Sequence, residues 1–172
     1  TRVGSQDIAL WALRNPNTIS AVVAPTHGDL RRVCFGGNSG LLSVIPDECF
    51  SDNKDYKGYS SSLSEIRLHN GSKIVGFAAQ EPDRLRGPQF HRAWCDELAS
   101  WRYPEAFDQL MFGLRLGENP QCVITTTPKP TKIIKDLITR DDVIVTRGST
   151  FENAENLAES ALEMMKQRYE GT

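Results

Sequence analysis

Asp96 and Glu97 stand side by side at the end of a short, largely apolar run, "FHRAWCDE", residues 90–97. Adjacent carboxylates at a strand end suit phosphoanhydride hydrolysis: one helps hold a hydrated magnesium ion, and the next orients and polarises the attacking water. Side chains alternate in direction along a strand, which separates the two tasks. The same pair also suits the acidic opening of a helix in a solvated loop. Two other groups bear on the choice. Thr125, Thr126 and Thr127 follow the run "QCVI" and offer hydroxyls able to hydrogen-bond a terminal phosphate or its attacking water. Threonine is equally a good strand residue. Arg84 and Arg86 lie in "PDRLRGPQ", just ahead of the acidic run, where they could stabilise transition-state charge or simply decorate the surface.

The elements that must position these residues alternate in type. Residues 1–15 carry spaced apolar side chains and end at Asn-Pro, which predicts one helix. "TISAVVAP", residues 18–25, is a continuous apolar, β-branched run and predicts a strand buried on both faces. Residues 29–45 read as two short helical pieces broken at "GGNSG". Residues 64–80 alternate on both sides of Asn70-Gly71, the strongest short hairpin signal, and the turn reading of that triplet with Ser72 takes precedence over a glycosylation acceptor. Then come a strand at 90–97, a helix near 104–117, a strand beginning at Gln121, a helix at 131–139, a strand at 142–150 and a final amphipathic helix ending at Gly171. Gly148, Ser149 and Thr150 fall at the end of the last strand. The expected fold class is α/β: a mainly parallel sheet covered by helices on both faces, with an added antiparallel hairpin. Ligands of such sheets sit beyond the carboxyl ends of the strands.

Composition removes several functions. The chain has 172 residues, a length suited to one domain with one core. Apolar residues at 39% and charged residues at 24%, without low-complexity tracts, indicate a folded domain and not a disordered one. A formal net charge of −2 gives no support to a broadly basic surface, so any nucleic-acid contact must be local. The longest apolar runs fall far short of the roughly 20 residues that span a bilayer, and the N-terminus lacks the order of a signal peptide. Cys34, Cys49, Cys95 and Cys122 form no C-x-x-C pair and read as reduced thiols of a cytosolic protein. His27, His69 and His91 show no metal-ligand spacing.

Taken in order, "PDRLRGPQFHRAWCDELASW", "VITTTPKPTKIIKDL" and "VTRGSTFENAENLAESALEMMKQRYEGT" resemble the arginine loop with Walker B, the coupling motif and the closing segment of the ATPase domain of viral large terminase subunits. These are the DNA-packaging motors of tailed bacteriophages. The resemblance covers nearly the whole chain and implies a P-loop NTPase fold of the ASCE, RecA-like kind, with ATP and Mg2+ as its ligands. It places Thr1 and Arg2 at the end of the Walker A loop, Thr1 contributing a magnesium-ligating hydroxyl. Asp96 would serve the magnesium through water, and Glu97 would position the attacking water. Arg86, with Arg84 as the alternative, would be an arginine finger acting on a neighbouring subunit's nucleotide. Thr125, Thr126 and Thr127 would sense the γ-phosphate and couple hydrolysis to DNA movement.

The same resemblance implies double-stranded DNA, the portal protein and the small terminase subunit as partners, a homo-oligomeric ring as the working assembly, no membrane, and the host cytoplasm at the procapsid portal as location. Residues 1–172 are expected to form a single ATPase domain that starts just inside Walker A and stops before the family's nuclease domain. Without the Walker A lysine, this stretch alone is expected to bind ATP poorly. Two other readings stand beside the motor: another P-loop nucleic-acid motor such as a helicase-like ATPase, and a nucleotide-free α/β interaction domain whose acidic pair is structural. The hairpin and arginine loop just before the acidic strand, together with "TTTPKP", separate the first from a terminase; DNA-stimulated ATP hydrolysis separates the second.

Overall fold

The computed structural model describes residues 1–52, 58–148 and 163–164. It divides into two compact units, Thr1–Ile134 and Lys135–Thr172. In chain order the elements are helix α1 (Arg2–Arg14), strand β1 (Ile19–Ala24), a helical turn α2 (His27–Asp29) that runs into a π-helical stretch (Leu30–Phe35), helix α3 (Leu41–Val44), strands β2 (Tyr59–Ser60), β3 (Glu65–Arg67), β4 (Lys73–Ala78) and β5 (Arg92–Asp96), helix α4 (Glu105–Gly113), strand β6 (Gln121–Thr125) and helix α5 (Lys132–Ile138).

All six strands join one sheet in the order β2-β3-β4-β1-β5-β6. Strands β4, β1, β5 and β6 run parallel, while β2 and β3 extend the sheet antiparallel through the hairpin at Asn70-Gly71. The mixed α/β sheet expected from the sequence is therefore the one observed. Gly71 takes φ +83°, which only a residue without Cβ adopts freely. The Asn70 amide donates to the Ala12 and Leu13 carbonyls, closing the end of α1.

Strand alternation gives the sheet two different faces. One carries Val22, Ala24, Ile74 and Trp94 against Ile8, Ala9 and Ala12 of α1, Leu30 and Phe35 of the π-helical stretch, and Leu41. A Cβ on Gly76 would lie 2.6 Å from the Phe35 ring, so glycine there lets that stretch lie flat on β4. The other face carries Ala21, Val23, Ala93 and Cys95, with Phe77 edge-on to Phe90 and α4 closing over Phe90 at Gly113. Arg92 ties α1 to the sheet by a paired contact with Asp7 at 2.7 and 2.8 Å.

Three expectations need revision. Helix α4 ends at Gly113, not near 117, because the Arg115 and Leu116 amides turn to the Phe90 carbonyl. Strand β5 stops at Asp96 because Glu97 enters the left-handed region, φ +51° and ψ +45°. The strand expected at 142–150 is not formed over the residues described there: 143–148 have no ladder partner, and Ile144 is 94% exposed. A β-branched run without a neighbouring strand has propensity but no pairing. With that strand goes the strand-end position of Gly148, while Ser149 and Thr150 lie outside the described residues. The final helix also lies outside them, except for Glu163 and Met164, which are helical and exposed. Among the described residues no helix is long and apolar enough to cross a membrane.

Candidate functional site

Parallel pairing brings the ends of β5 and β6 level, with Asp96 opposite Thr125. Asp96 is only 2% exposed, and a buried carboxylate requires donors. It has them. The Thr125 hydroxyl donates to Oδ1 at 2.8 Å, and the Cys34 thiol of the π-helical stretch approaches Oδ2 at 3.6 Å. Burial, and after it the Asp96 charge, push the Cys34 thiol far above its ordinary range, so it stays a neutral donor. The Asp96 carbonyl, freed from the ladder by the turn at Glu97, accepts from the Trp101 indole at 2.9 Å.

The Thr1 nitrogen lies 3.8 Å from Asp96 Oδ1, so the start of α1 abuts the end of β5. Arg2 points elsewhere, to the Asn38 carbonyl at 3.3 Å. The loop that receives it is held by Ser5, whose hydroxyl lies 2.6 Å from the Ser39 carbonyl.

Glu97 is held differently. Its amide donates to the Thr125 carbonyl at 2.6 Å, but among the described residues the side chain meets only the Thr127 amide at 3.3 Å and the Thr127 hydroxyl at 3.5 Å. Its left-handed backbone is costly for a residue with Cβ, about 1–3 kcal/mol. The three threonines therefore have separate surroundings: Thr125 serves Asp96, Thr126 accepts from the Ala99 amide at 3.1 Å, and Thr127 faces Glu97.

Arg84 and Arg86 are not part of this cluster. They flank the end of the short helical turn Pro82–Leu85, which follows β4, and their partners are Glu81 and Asp83, each at 3.2 Å. Their side chains are 70% and 66% exposed, a setting in which ion pairs contribute little. The structure thus gathers Thr1, Asp96, Glu97, Thr125 and Thr127, and leaves both arginines at the open edge. His27 also sits there, 2.9 Å from Glu81.

Trp94, Trp101 and Cys34 are the site neighbours that residue spacing did not assign. The sequence feature that could mark one of them is the size of Trp94 in a strand interior.

This mixed, mostly parallel sheet, with a dry aspartate, a following glutamate and a threonine-bearing neighbour at its strand ends, has a fold of the P-loop NTPase type. Within that class the family is specific. Residues 1–172 match the family model for the N-terminal part of the T4likevirus-type terminase large subunit, and the chain belongs to that family.

Among solved structures, the large terminase of a thermophilic bacteriophage superposes with TM-score 0.72 at 14% identity, over 98% of this chain and 42% of that one. The same phage's large terminase in complex with ADP gives 0.72 at 13% identity, over 98% and 42%. A mutant of the Thermus phage P74-26 large terminase ATPase domain gives 0.60 at 15% identity, over 96% and 78%. The chain thus spans 42% of the thermophilic phage's large terminase. No curated protein matches it at the sequence level.

Proposed function

We propose that this chain is the core of an ATP-hydrolysing motor domain that couples turnover to the movement of double-stranded DNA into a procapsid. The observation that carries the reading is the junction of Thr1, Asp96 and Glu97, with one carboxylate dry and fixed and the next loosely held beside it. The ADP complex of the thermophilic phage's large terminase supports a nucleotide as ligand.

The donor set fits magnesium. Asp96 and Thr1 supply hard oxygens, and among the described residues no three His, Cys, Asp or Glu side chains gather into a metal cage. Magnesium is commonly held by one or two protein oxygens together with waters and phosphates. Thr1 and Asp96 would hold it, and when bound it neutralises charge on the phosphates. Glu97 orients the attacking water and draws its proton toward the carboxylate, a task that requires a carboxylate free of strong donors. Thr127 links that carboxylate to the end of β6. Arg86, or Arg84 in its place, reaches the nucleotide of a neighbouring subunit in a homo-oligomeric ring and offsets negative charge in the transition state. The partners of this reading are double-stranded DNA, the portal protein and the small terminase subunit, at the procapsid in the host cytoplasm.

The test is DNA-stimulated ATP hydrolysis by the large subunit, Walker A loop included, with and without Glu97→Ala. Loss of turnover with retained nucleotide binding is expected. Unchanged turnover sinks the assignment.

A further inference from the structure

An indole N–H can only donate, and a threonine hydroxyl has one proton to give. Trp94 Nε1 lies 2.7 Å from Thr125 Oγ1, so that oxygen accepts there. Its single proton is then committed to Asp96 Oδ1 at 2.8 Å. The direction of the Thr125 hydroxyl is fixed by a residue two positions before the aspartate it serves, across one strand pairing.

The seat of the indole is built for it. Trp94 is fully buried on the face covered by α1, and a Cβ on Gly4 would collide with the ring nitrogen. Burial alone would be satisfied by any large apolar side chain at this position. What the indole adds is the N–H, which would be costly to bury without an acceptor. Because Gly4 lies one turn after Thr1, the helix segment that presents Thr1 rests on the ring that orients Asp96.

We propose that Trp94 is a positioning residue of the nucleotide site: acting through Thr125, it fixes the direction of the Asp96 carboxylate, and Thr125 thereby serves Asp96 and not the terminal phosphate. The proposal rests on the hydrolysis reading for its consequence, though not for its geometry. Groups that orient a metal-serving carboxylate typically change metal affinity when removed, by about 10–100-fold.

Two measurements on the large terminase subunit test it. The first needs no nucleotide: in protein labelled with 15N at the indole nitrogens, Thr125→Val should shift one indole N–H resonance and speed its hydrogen exchange, while Thr125→Ser should leave both unchanged. The second is a Mg2+ titration of ADP binding. Trp94→Phe and Thr125→Val should each weaken Mg2+ affinity about ten-fold, with ADP binding in the presence of a chelator unchanged and Thr125→Ser close to wild type. An indole resonance unmoved by Thr125→Val overturns the relay. Unchanged Mg2+ affinity in a folded Trp94→Phe protein overturns the positioning role, and if that variant does not fold, unchanged Mg2+ affinity in Thr125→Val does so. A wild-type subunit that binds no nucleotide counts against the hydrolysis reading, and the indole measurement still decides the relay.

Discussion

At the end of β5, Asp96 is 2% exposed and each of its carboxylate oxygens meets a donor, whereas after β4 the arginines are mostly solvent-exposed and paired to Glu81 and Asp83 within their own loop. Both ends open on the same edge of one sheet. The difference lies in what each end needs to be ready. A carboxylate that serves a metal must be aimed before the ligand arrives, because a misdirected buried charge has no solvent to compensate it. A guanidinium that acts on another subunit, the role proposed for Arg86 or Arg84, gains nothing from being fixed against its own. The closed end is organised by the fold; the open end is where the proposed function calls for a neighbouring subunit.

The largest effect should come from the open end. Arg86→Ala should lower ATPase turnover of the assembled ring by about 10³–10⁵-fold while leaving the melting temperature of the subunit unchanged. Mixing it with wild type should inhibit more steeply than its molar fraction. Simple proportional loss would move the finger assignment away from Arg86, and the same series on Arg84→Ala then tests the alternative.

At the closed end, Glu97→Gln should cost about 10²–10⁴-fold in kcat with nucleotide binding retained. Glu97→Gly separates chemistry from strain: turnover is lost, yet chemical denaturation should show a gain of about 1 kcal/mol, because glycine accepts the left-handed backbone freely.

Gly4→Ala tests the link between α1 and the closed end. The added methyl has no room against Trp94, so denaturation should show a loss of about 1–3 kcal/mol. The smallest effect belongs to a position away from both ends. The Ser20 hydroxyl on β1 is buried with no hydrogen-bond partner among the described residues. Ser20→Ala should therefore be neutral or stabilise by up to about 1 kcal/mol, with turnover unaffected.

The two ends also differ in how far the sequence reveals them. The strands β1, β5 and β6 and the hairpin were legible because each is an apolar run bounded by turn residues. The sequence placed Asp96 and the threonines at the carboxyl ends of strands, but that β5 and β6 are neighbours comes from the observed sheet order. Three features were not legible. Glu97 leaves the strand one residue early, and nothing in "CDEL" distinguishes a left-handed glutamate from an extended one. Cys34 reaches Asp96 across 62 positions, a contact set by packing and not by local pattern. The run at 142–150 had strand propensity, but a strand depends on a partner that its own residues do not encode.

Trp94 and Trp101 give the closed end an optical consequence. The chain has three tryptophans, and two of them, Trp94 and Trp101, donate to Thr125 and to the Asp96 carbonyl. The third, Trp11, lies under the Arg92 guanidinium at 5.8 Å. Emission excited at the red edge of the indole band comes from all three, so part of it reports on the surroundings of Asp96. A change in its colour or lifetime on adding nucleotide that persists in Trp11→Phe would read out the surroundings of that carboxylate with no label attached.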